Sequence, residues 1–381
     1  MNRKERQRVI LALKNIPDVG RRKIVRILEA IPPEDLFSPG SEERLMDVKG
    51  IGESLAKRIA AFSDWDRIER ILDRSRRAGQ RMIDMEDKLY PELLRQVADP
   101  PPLLWFRGDP SVWTRYCVSV VGTRRPTRYG REQAGYWSML LARSGLVVVS
   151  GLAHGIDRIA HRTALTCNSP TIAVLGSGLD RVYPPEHGKL ADEIVQKGGA
   201  LLSEYSPGTP PHPGHFPDRN RIVTGLSLGL LAVQTGVRGG SMISARLALD
   251  QNREVFVVPH RIGERWGEGC NQLIRNGEGK LVQEPADLLM ELPPAARPKE
   301  IPERLPGRGD HSRSTGQKLA GMPEGVEAGK VCRLLQKGRM PVDRLSRESG
   351  LELSRLLPIL TRLELAGIVR QRGGNDFELG P

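Results

Sequence analysis

Residues 117–126 read C-V-S-V-V-G-T-R-R-P, and this stretch decides the fold. Its first half is an apolar run rich in β-branched residues, which predicts a buried strand. The run stops at Gly122 and is followed by Arg124 and Arg125. A glycine turn with positive charge at the end of a strand is typical of an anion-binding site, and the sequence predicts one here.

On either side of this stretch, strand and helix patterns alternate from residue 115 to about residue 292. The strand patterns are continuously apolar, as strands covered on both faces require. Their alternation with amphipathic helices predicts an α/β fold with a doubly wound parallel sheet. The predicted strands are residues 118–121, 146–150, 171–175, 200–203, 229–234 and 254–258, and examples of the helices between them are 131–143, 156–165 and 242–249.

Changes in composition predict four regions. Residues 1–80 are helical, and residues 81–292 hold a connector, with a short strand at L-L-W-F (103–106), followed by the sheet. Residues 293–325 are rich in proline, glycine and charge, which predicts a disordered linker. Residues 326–381 show three helical patterns and two short strands around a Gly-Gly turn, an order that suits a winged helix. Winged helices bind DNA or protein, and the sequence leaves both open.

The N-terminal region contains two related turns, I-P-D-V-G at 16–20 and V-K-G-I-G at 48–52, each followed by a basic amphipathic helix, at 21–28 and 53–62. Such turns can direct backbone N–H groups at a phosphate, as in helix-hairpin-helix DNA binders. They are equally compatible with tight turns in a small helical bundle.

The charge balance favours polyanionic partners. The formal net charge is +12 at pH 7, and only 4% of the residues are aromatic, so contacts to a phosphate backbone are a better source of affinity than serial base stacking. The scattered cysteines lack metal-ligand spacing and indicate reduced thiols in a cytoplasmic protein. No apolar run is long enough to span a membrane. The cysteines are Cys117, Cys167, Cys270 and Cys332.

Small and basic residues follow five of the predicted strands. Because ligands bind outside the carboxyl ends of parallel strands, these loops predict one anion cradle at a single edge of the sheet. The loops contain Gly122, Thr123, Arg124 and Arg125; Ser150, Gly151 and His154; Gly176 to Gly178; F-P-D-R-N-R at 216–221; and Gly236 to Ser241.

His154, Asp157 and His161 have a spacing that a metal site could use. Without an H-E-x-x-H pattern or a further ligand, we favour Asp157 near a helix N-terminus and histidines that are packed and hydrogen-bonded. The sequence therefore predicts neither a metal nor a cofactor. No catalytic triad or nucleophile elbow is evident.

Together these motifs resemble the bacterial DNA-processing protein A family (DprA, also called Smf). The likeness covers nearly the whole chain, including the Y-P-E-L-L connector and the C-terminal L-T-R-L-E-L-A-G-I-V. Its main motifs are V-V-G-T-R-R-P-T-R-Y-G at 120–130, S-G-L-A-H-G-I-D-R-I-A-H-R-T-A-L at 150–165, A-V-L-G-S-G-L-D-R-V-Y-P-P-E at 173–186, S-E-Y-S-P-G-T at 203–209, F-P-D-R-N-R-I-V-T-G-L-S at 216–227 and R-E-V-F-V-V-P at 253–259.

The resemblance implies a Rossmann-like core that binds single-stranded DNA, forms a homodimer and loads a RecA-type recombinase in natural transformation, protecting incoming DNA without catalysis. The expected DNA-binding residues are Gly122, Thr123, Arg124, Ser150, Gly151, Phe216, Arg219, Asn220, Arg221, Arg238, Gly240 and Ser241. The expected dimer contacts are Asn271, Leu273 and Ile274.

The chain departs from the family pattern at Pro185, Gln234, Gly239 and His260. The alternative reading is a nucleotide-hydrolysing enzyme of the lysine-decarboxylase-like phosphoribohydrolase class, but its P-G-G-x-G-T loop and catalytic glutamate are missing from 237–241 and from Gln234. A third reading is an architectural duplex binder that works through both end domains.

Overall fold

A computed structural model describes residues 2–301, 326–336, 338–365, 368–372 and 375–379. The chain divides into two units, Met1–Leu305 and Pro306–Pro381. The predicted linker falls largely on residues 302–325, which lie outside the described residues.

The chain begins with a helical part. Asn2 caps its first helix, where Glu5 N donates to Asn2 Oδ1 at 3.0 Å. Gly20 and Gly52 directly precede two of the helices, as the predicted turns require. The predicted helical domain is confirmed. Its helices are α1 (Arg3–Asn15), α2 (Arg21–Ala30), α3 (Ser41–Met46), α4 (Glu53–Ala60) and α5 (Trp65–Arg77).

Within residues 81–301, nine strands form one sheet in the order β1-β2-β6-β5-β4-β3-β7-β8-β9. Strands β3 to β9 pair in parallel, and the order reverses at β3, which lies between β4 and β7. All six predicted strands and the doubly wound fold are confirmed. The strands are β1 (Arg81–Asp84), β2 (Leu103–Gly108), β3 (Cys117–Gly122), β4 (Val147–Ser150), β5 (Thr171–Val174), β6 (Ala200–Ser203), β7 (Gly229–Gln234), β8 (Glu254–Val257) and β9 (Lys280–Leu281).

Helices lie between these strands, and the three named from the sequence are all present. Thr127 caps the helix after β3, since Gly130 N donates to Thr127 Oγ1 at 3.1 Å. The helices are α6 (Glu92–Arg95), α7 (Arg128–Arg143), α8 (Ile156–Thr166), α9 (Gly188–Gln196), α10 (His215–Gly225), α11 (Gly240–Asp250), α12 (Glu268–Arg275) and α13 (Pro285–Leu289).

The connector does more than pack onto the sheet, because its strands extend the sheet at one edge. Strand β2 pairs antiparallel with β6, and β1 pairs antiparallel with β2. Trp105 of β2 is fully buried. Gly108 ends β2 with φ +101°, and a Cβ there would collide with Gly199 O, so this turn requires glycine.

The helical part and the sheet share one hydrophobic core. Leu11 and Leu13 of α1 belong to the same buried cluster as Leu103 and Trp105 of β2. At the first of the two predicted hairpin turns, Arg21 Nε lies 2.6 Å from Asp99 Oδ2, so this arginine is already engaged by the sheet domain. Both turns keep exposed residues, which are Pro17, Asp18 and Gly20 in the first turn and Lys49, Gly50 and Gly52 in the second.

The second unit has the order of elements that a winged helix requires, and the predicted winged helix is confirmed. Its three strands pair in the order β10-β12-β11. Leu356, Leu360 and Leu363 of the leucine-rich helix are buried, whereas Leu357 is exposed. The elements are α14 (Val326–Leu335), β10 (Met340–Pro341), α15 (Val342–Ser349), α16 (Leu353–Leu365), β11 (Val369–Arg372) and β12 (Asp376–Leu379).

All four cysteines are free thiols. Burial raises the pKa of both Cys117 and Cys270 to about 12, so these thiols are protonated at neutral pH. Among the described helices, none is both long and apolar enough to cross a bilayer.

Candidate nucleic-acid interface

A cleft of about 990 Å³ opens at the carboxyl ends of the parallel strands. It lies where the strand order reverses, between the loops that follow the adjacent strands β3 and β7, the place where open α/β sheets bind ligands. Four of the five predicted loops contribute to this cleft, whereas Gly176 to Gly178 are not among its lining residues. The predicted residues that line it are Gly122, Thr123, Arg124, Gly151, Phe216, Arg219, Asn220, Arg238, Gly240 and Ser241.

Arg124 and Phe216 both line this cleft and contact each other. The guanidinium carbon of Arg124 lies 5.4 Å from the centroid of the Phe216 ring, a cation–π contact. The Tyr183 ring lies 5.7 Å from that of Phe216, centroid to centroid. Arg124 is exposed and has no carboxylate partner among the described residues. The cleft thus offers a positive charge and two aromatic faces side by side.

Two further arginines line the cleft. Arg125 follows Arg124 in the loop after β3, and Arg238 lies in the loop between β7 and α11. Both side chains are exposed. The sequence alone does not decide whether Arg125 faces the cleft or the solvent, and in the structure it lines the cleft.

Arg219 has a different role, because its guanidinium is buried. Its Nη1 donates to Gly151 O at 2.6 Å and also to Val174 O. Burial lowers the pKa of Arg219 to about 10, and the nearby Arg124 acts in the same direction, while Asp157 opposes it. Arg219 therefore braces the loop after β4 and the end of β5, and it remains positively charged at neutral pH.

Comparison with known proteins identifies the family. The family model "DNA recombination-mediator protein A" matches residues 81–293, more than half of the chain. The chain belongs to this family. Two further models match at its ends, the "DprA winged helix domain" at residues 320–375 and the "SAM-like Helix-hairpin-helix tandem" at residues 10–62.

Similar proteins cover most of the chain. Protein Smf of Escherichia coli (strain K12) is 35% identical over 302 residues, covering 78% of this chain and 77% of that protein. Protein Smf of Synechocystis sp. is 32% identical over 354 residues, 88% and 89% of the two chains. The crystal structure of DprA from Streptococcus pneumoniae matches with a TM-score of 0.66 and 31% identity over 77% of this chain and 99% of that chain.

Two of the expected DNA-binding residues lie outside the cleft. Ser150 is fully buried, and its Oγ donates to Val120 O at 2.7 Å. Arg221 is also buried, and its Nη2 lies 2.5 Å from Glu204 Oε2. Their polar groups are used inside the protein, and this corrects the set expected from the motifs.

The residues with metal-like spacing do not converge. Asp157 accepts from Gly151 N at 3.1 Å and Ala153 N at 3.3 Å, and burial raises its pKa. His161 is buried and hydrogen-bonded through Nδ1 to Thr171 Oγ1 at 2.8 Å. Both agree with the interpretation favoured from the sequence.

His154 differs from that interpretation, because it is exposed and its Nε2 lies 3.3 Å from Glu186 Oε1. Within the described residues, no group of three or more His, Cys, Asp or Glu side chains has a geometry that could hold a metal ion.

The departure at Gln234 has a structural explanation. Gln234 is fully buried, its Nε2 donates to Thr127 Oγ1 at 2.9 Å, and its Oε1 accepts from Thr127 N at 2.9 Å. Gln234 thus fixes the end of the loop that carries Arg124. Of the other departures from the family pattern, Gly239 lines the cleft and Pro185 does not.

The three expected dimer residues also differ in their exposure and contacts. Asn271 holds the backbone of His260, with His260 N donating to Asn271 Oδ1 at 3.0 Å and Asn271 Nδ2 donating to His260 O at 2.9 Å. Leu273 is fully buried in the core and cannot contact a second protomer, which corrects that expectation. Ile274 is partly exposed.

Sequence reasoning missed one wall of the cleft, formed by Arg265 and Trp266. The guanidinium carbon of Arg265 lies 5.7 Å from the Trp266 ring centroid, and Trp266 is exposed. The available signal was R-I-G-E-R-W-G-E-G at 261–269, a glycine-rich loop with two arginines after the sixth predicted strand. Its two glutamates, Glu264 and Glu268, cancel the formal charge of these arginines.

Proposed function

We propose that the cleft binds single-stranded DNA, and that this protein acts in the cytoplasm to protect the strand and load a RecA-type recombinase onto it during natural transformation and recombination. It does so without catalysing a chemical step. The observation that carries the proposal is the position of Arg124 over the Phe216 ring at the strand-order reversal. This pair offers a charge to a phosphate and a ring face to a neighbouring base.

The electrostatics of the cleft favour a polyanion. Arg124, Arg125 and Arg238 are exposed at its wall. Helix α11 begins at Gly240, which lines the cleft, and α10 begins one residue before Phe216, so two helix N-termini add partial positive charge there. The net charge of +12 extends this attraction over the molecule.

The aromatic groups favour a single strand over a duplex. Phe216, Tyr183 and Trp266 line the same cleft. An aromatic ring can stack only on a base that is free of its neighbours, and the bases of a duplex are paired and stacked. Backbone contacts combined with stacking predict binding with little sequence preference and a strong salt dependence.

Two parts of the proposal, recombinase loading and dimerisation, rest on observations other than the geometry of the cleft. Membership of the recombination-mediator family supports the first. For the homodimer, Ile262 is 94% exposed and lies two residues from His260, whose backbone Asn271 holds. An interface with a second copy at this loop would remove the Ile262 side chain from water.

The deciding experiment is a titration of the full chain with a labelled single-stranded oligonucleotide, followed by competition with the unlabelled single strand or the matching duplex. Light scattering on the same samples reports the oligomeric state. We expect the single strand to compete far better than the duplex and the complex to contain two protomers. Equal competition by the duplex would instead support the hypothesis of an architectural duplex binder. Binding of DNA by a monomer would contradict the proposed homodimer.

The alternative hypothesis, a phosphoribohydrolase, predicts release of a base from a nucleoside monophosphate. The position at which it needs a catalytic glutamate holds Gln234, which is buried and bonded to Thr127. We expect no base release by the purified protein, and a measurable turnover would favour the enzyme.

A further inference from the structure

A second basic surface lies beside the cleft, on the last helix of the helical part. A groove of about 500 Å³ runs between α5 and the loop that follows β5. We call it the α5 groove. It is lined by Arg70, Asp73, Arg74, Arg77, Ala78 and Asp180.

The two acidic residues of the α5 groove are already neutralised. Arg74 Nη2 lies 2.8 Å from Asp180 Oδ2, and Gly208 N donates to Asp180 Oδ1 at 2.8 Å. Asp73 pairs with Arg76 at 2.5 Å. The two Asp180 contacts link α5 to the loop after β5, and that loop to the loop after β6.

Positive charge remains in the α5 groove. Arg70 has only a long contact of 3.9 Å to the exposed Asp64, and Arg77 is exposed with no ion pair in the described part of the chain. Arginine at a helix C-terminus also has a purely structural use, since it interacts favourably with the helix dipole. A test must separate the two roles.

The α5 groove and the cleft are joined by one short segment of chain. Asp180 contacts α5, and Tyr183, three residues later, lines the cleft beside Phe216. Three residues span at most about 11 Å. Between them Arg181 is exposed, and no ion pair to its guanidinium is found among the described residues. A continuous basic path therefore leads from Phe216 past Tyr183 and Arg181 to α5.

We propose that a single strand held in the cleft continues along this path, and that Arg70 and Arg77 bind its next phosphates. The helical part then supplies the second half of an extended DNA track. This inference rests on the proposed single-strand binding by the cleft. It concerns only where the strand goes when it leaves Phe216 and Tyr183.

The test uses Arg77→Glu and Arg143→Glu in the full chain. Arg77 is the last residue of α5 and Arg143 the last residue of α7; both are exposed, and Arg143 lies at the opposite edge of the sheet, just before β4. The two substitutions change the net charge and the helix dipole equally. Each variant is titrated with oligonucleotides of about 6 and about 20 nucleotides, a range that brackets common single-strand site sizes.

We expect Arg77→Glu to weaken binding of the long oligonucleotide by about tenfold and to reduce its salt slope by about 0.7, the effect of one lost phosphate contact. The short oligonucleotide should bind as to the unchanged protein, and Arg143→Glu should affect neither. Equal long-oligonucleotide affinities for the two variants would overturn the track, as would equal weakening of both lengths by Arg77→Glu. If the unchanged protein binds neither oligonucleotide, the proposed function itself fails.

Discussion

Arg221 Nη2 lies 2.5 Å from Glu204 Oε2, and each side chain is only 6% exposed. The motif F-P-D-R-N-R therefore contains three residues with three different uses. Phe216 faces the cleft, Arg219 braces its loops, and Arg221 reaches the opposite way to Glu204 and Asp99, the carboxylate that also holds Arg21 of α2.

Removing Arg221 should destabilise the protein rather than weaken its DNA contact. Arg221→Met leaves Glu204 buried without its partner, and breaking a buried pair from one side costs about 3–5 kcal/mol. Urea denaturation should show this loss in the free energy of unfolding, and Glu204→Gln in the Arg221→Met background should recover part of it. An Arg221→Met variant as stable as the unchanged protein would contradict the structural role.

Arg124→Ala should weaken single-strand binding by about tenfold at moderate salt, because one charge-assisted phosphate contact is lost. Fluorescence anisotropy over a salt series measures both the affinity and its slope. The matched control is Arg128→Ala, four residues along, whose side chain is 88% exposed and pairs with Glu132. If both variants bind DNA alike, Arg124 is not a contact.

Phe216→Ala should cost about 1–3 kcal/mol of binding free energy, the range found for loss of one stacked base. Phe216→Tyr keeps the ring face and should bind within about twofold of the unchanged protein. Since Arg124 lies over the ring, the double variant Arg124→Ala, Phe216→Ala should lose less than the sum of the single losses. Strict additivity in this cycle would show that the two residues act separately on the DNA.

His161 should make the folded state sensitive to acid. Burial, together with nearby Arg219 and His187, lowers its pKa to about 3 from an ordinary value of 6.5. Between those values the unfolded chain binds a proton that the folded chain does not. The stability contribution is therefore complete above pH 6.5 and is lost as the pH falls, at up to about 1.4 kcal/mol per pH unit.

Urea denaturation of the unchanged protein and of His161→Gln between pH 7 and pH 4 measures this effect. The His161→Gln variant should show the shallower fall in the free energy of unfolding. Parallel curves for the two proteins would mean that His161 takes up its proton in the folded state as easily as in the unfolded chain.

The amino-acid sequence by itself determined the sheet, the two end domains and the edge at which the site lies. Continuous β-branched runs such as C-V-S-V-V predict buried strands, since only these lie between two layers of helices. Carboxyl ends of parallel strands share one edge, so Gly122, Arg124 and Arg238 could be placed together before any contact was known. These are local patterns or direct consequences of parallel pairing.

Only the tertiary structure decided which polar side chains face the cleft. Ser150 ends β4, and Arg124 lies in the loop after β3. Ser150 Oγ nevertheless donates to Val120 O inside the protein, whereas Arg124 is exposed. The direction of a polar side chain is set by the partners that packing brings close, and Arg221 pairs with Glu204 because folding brings α10 next to the residue that follows β6. The link from Arg74 to Asp180, 106 residues apart, likewise arises from a shared core rather than from any pattern along the chain.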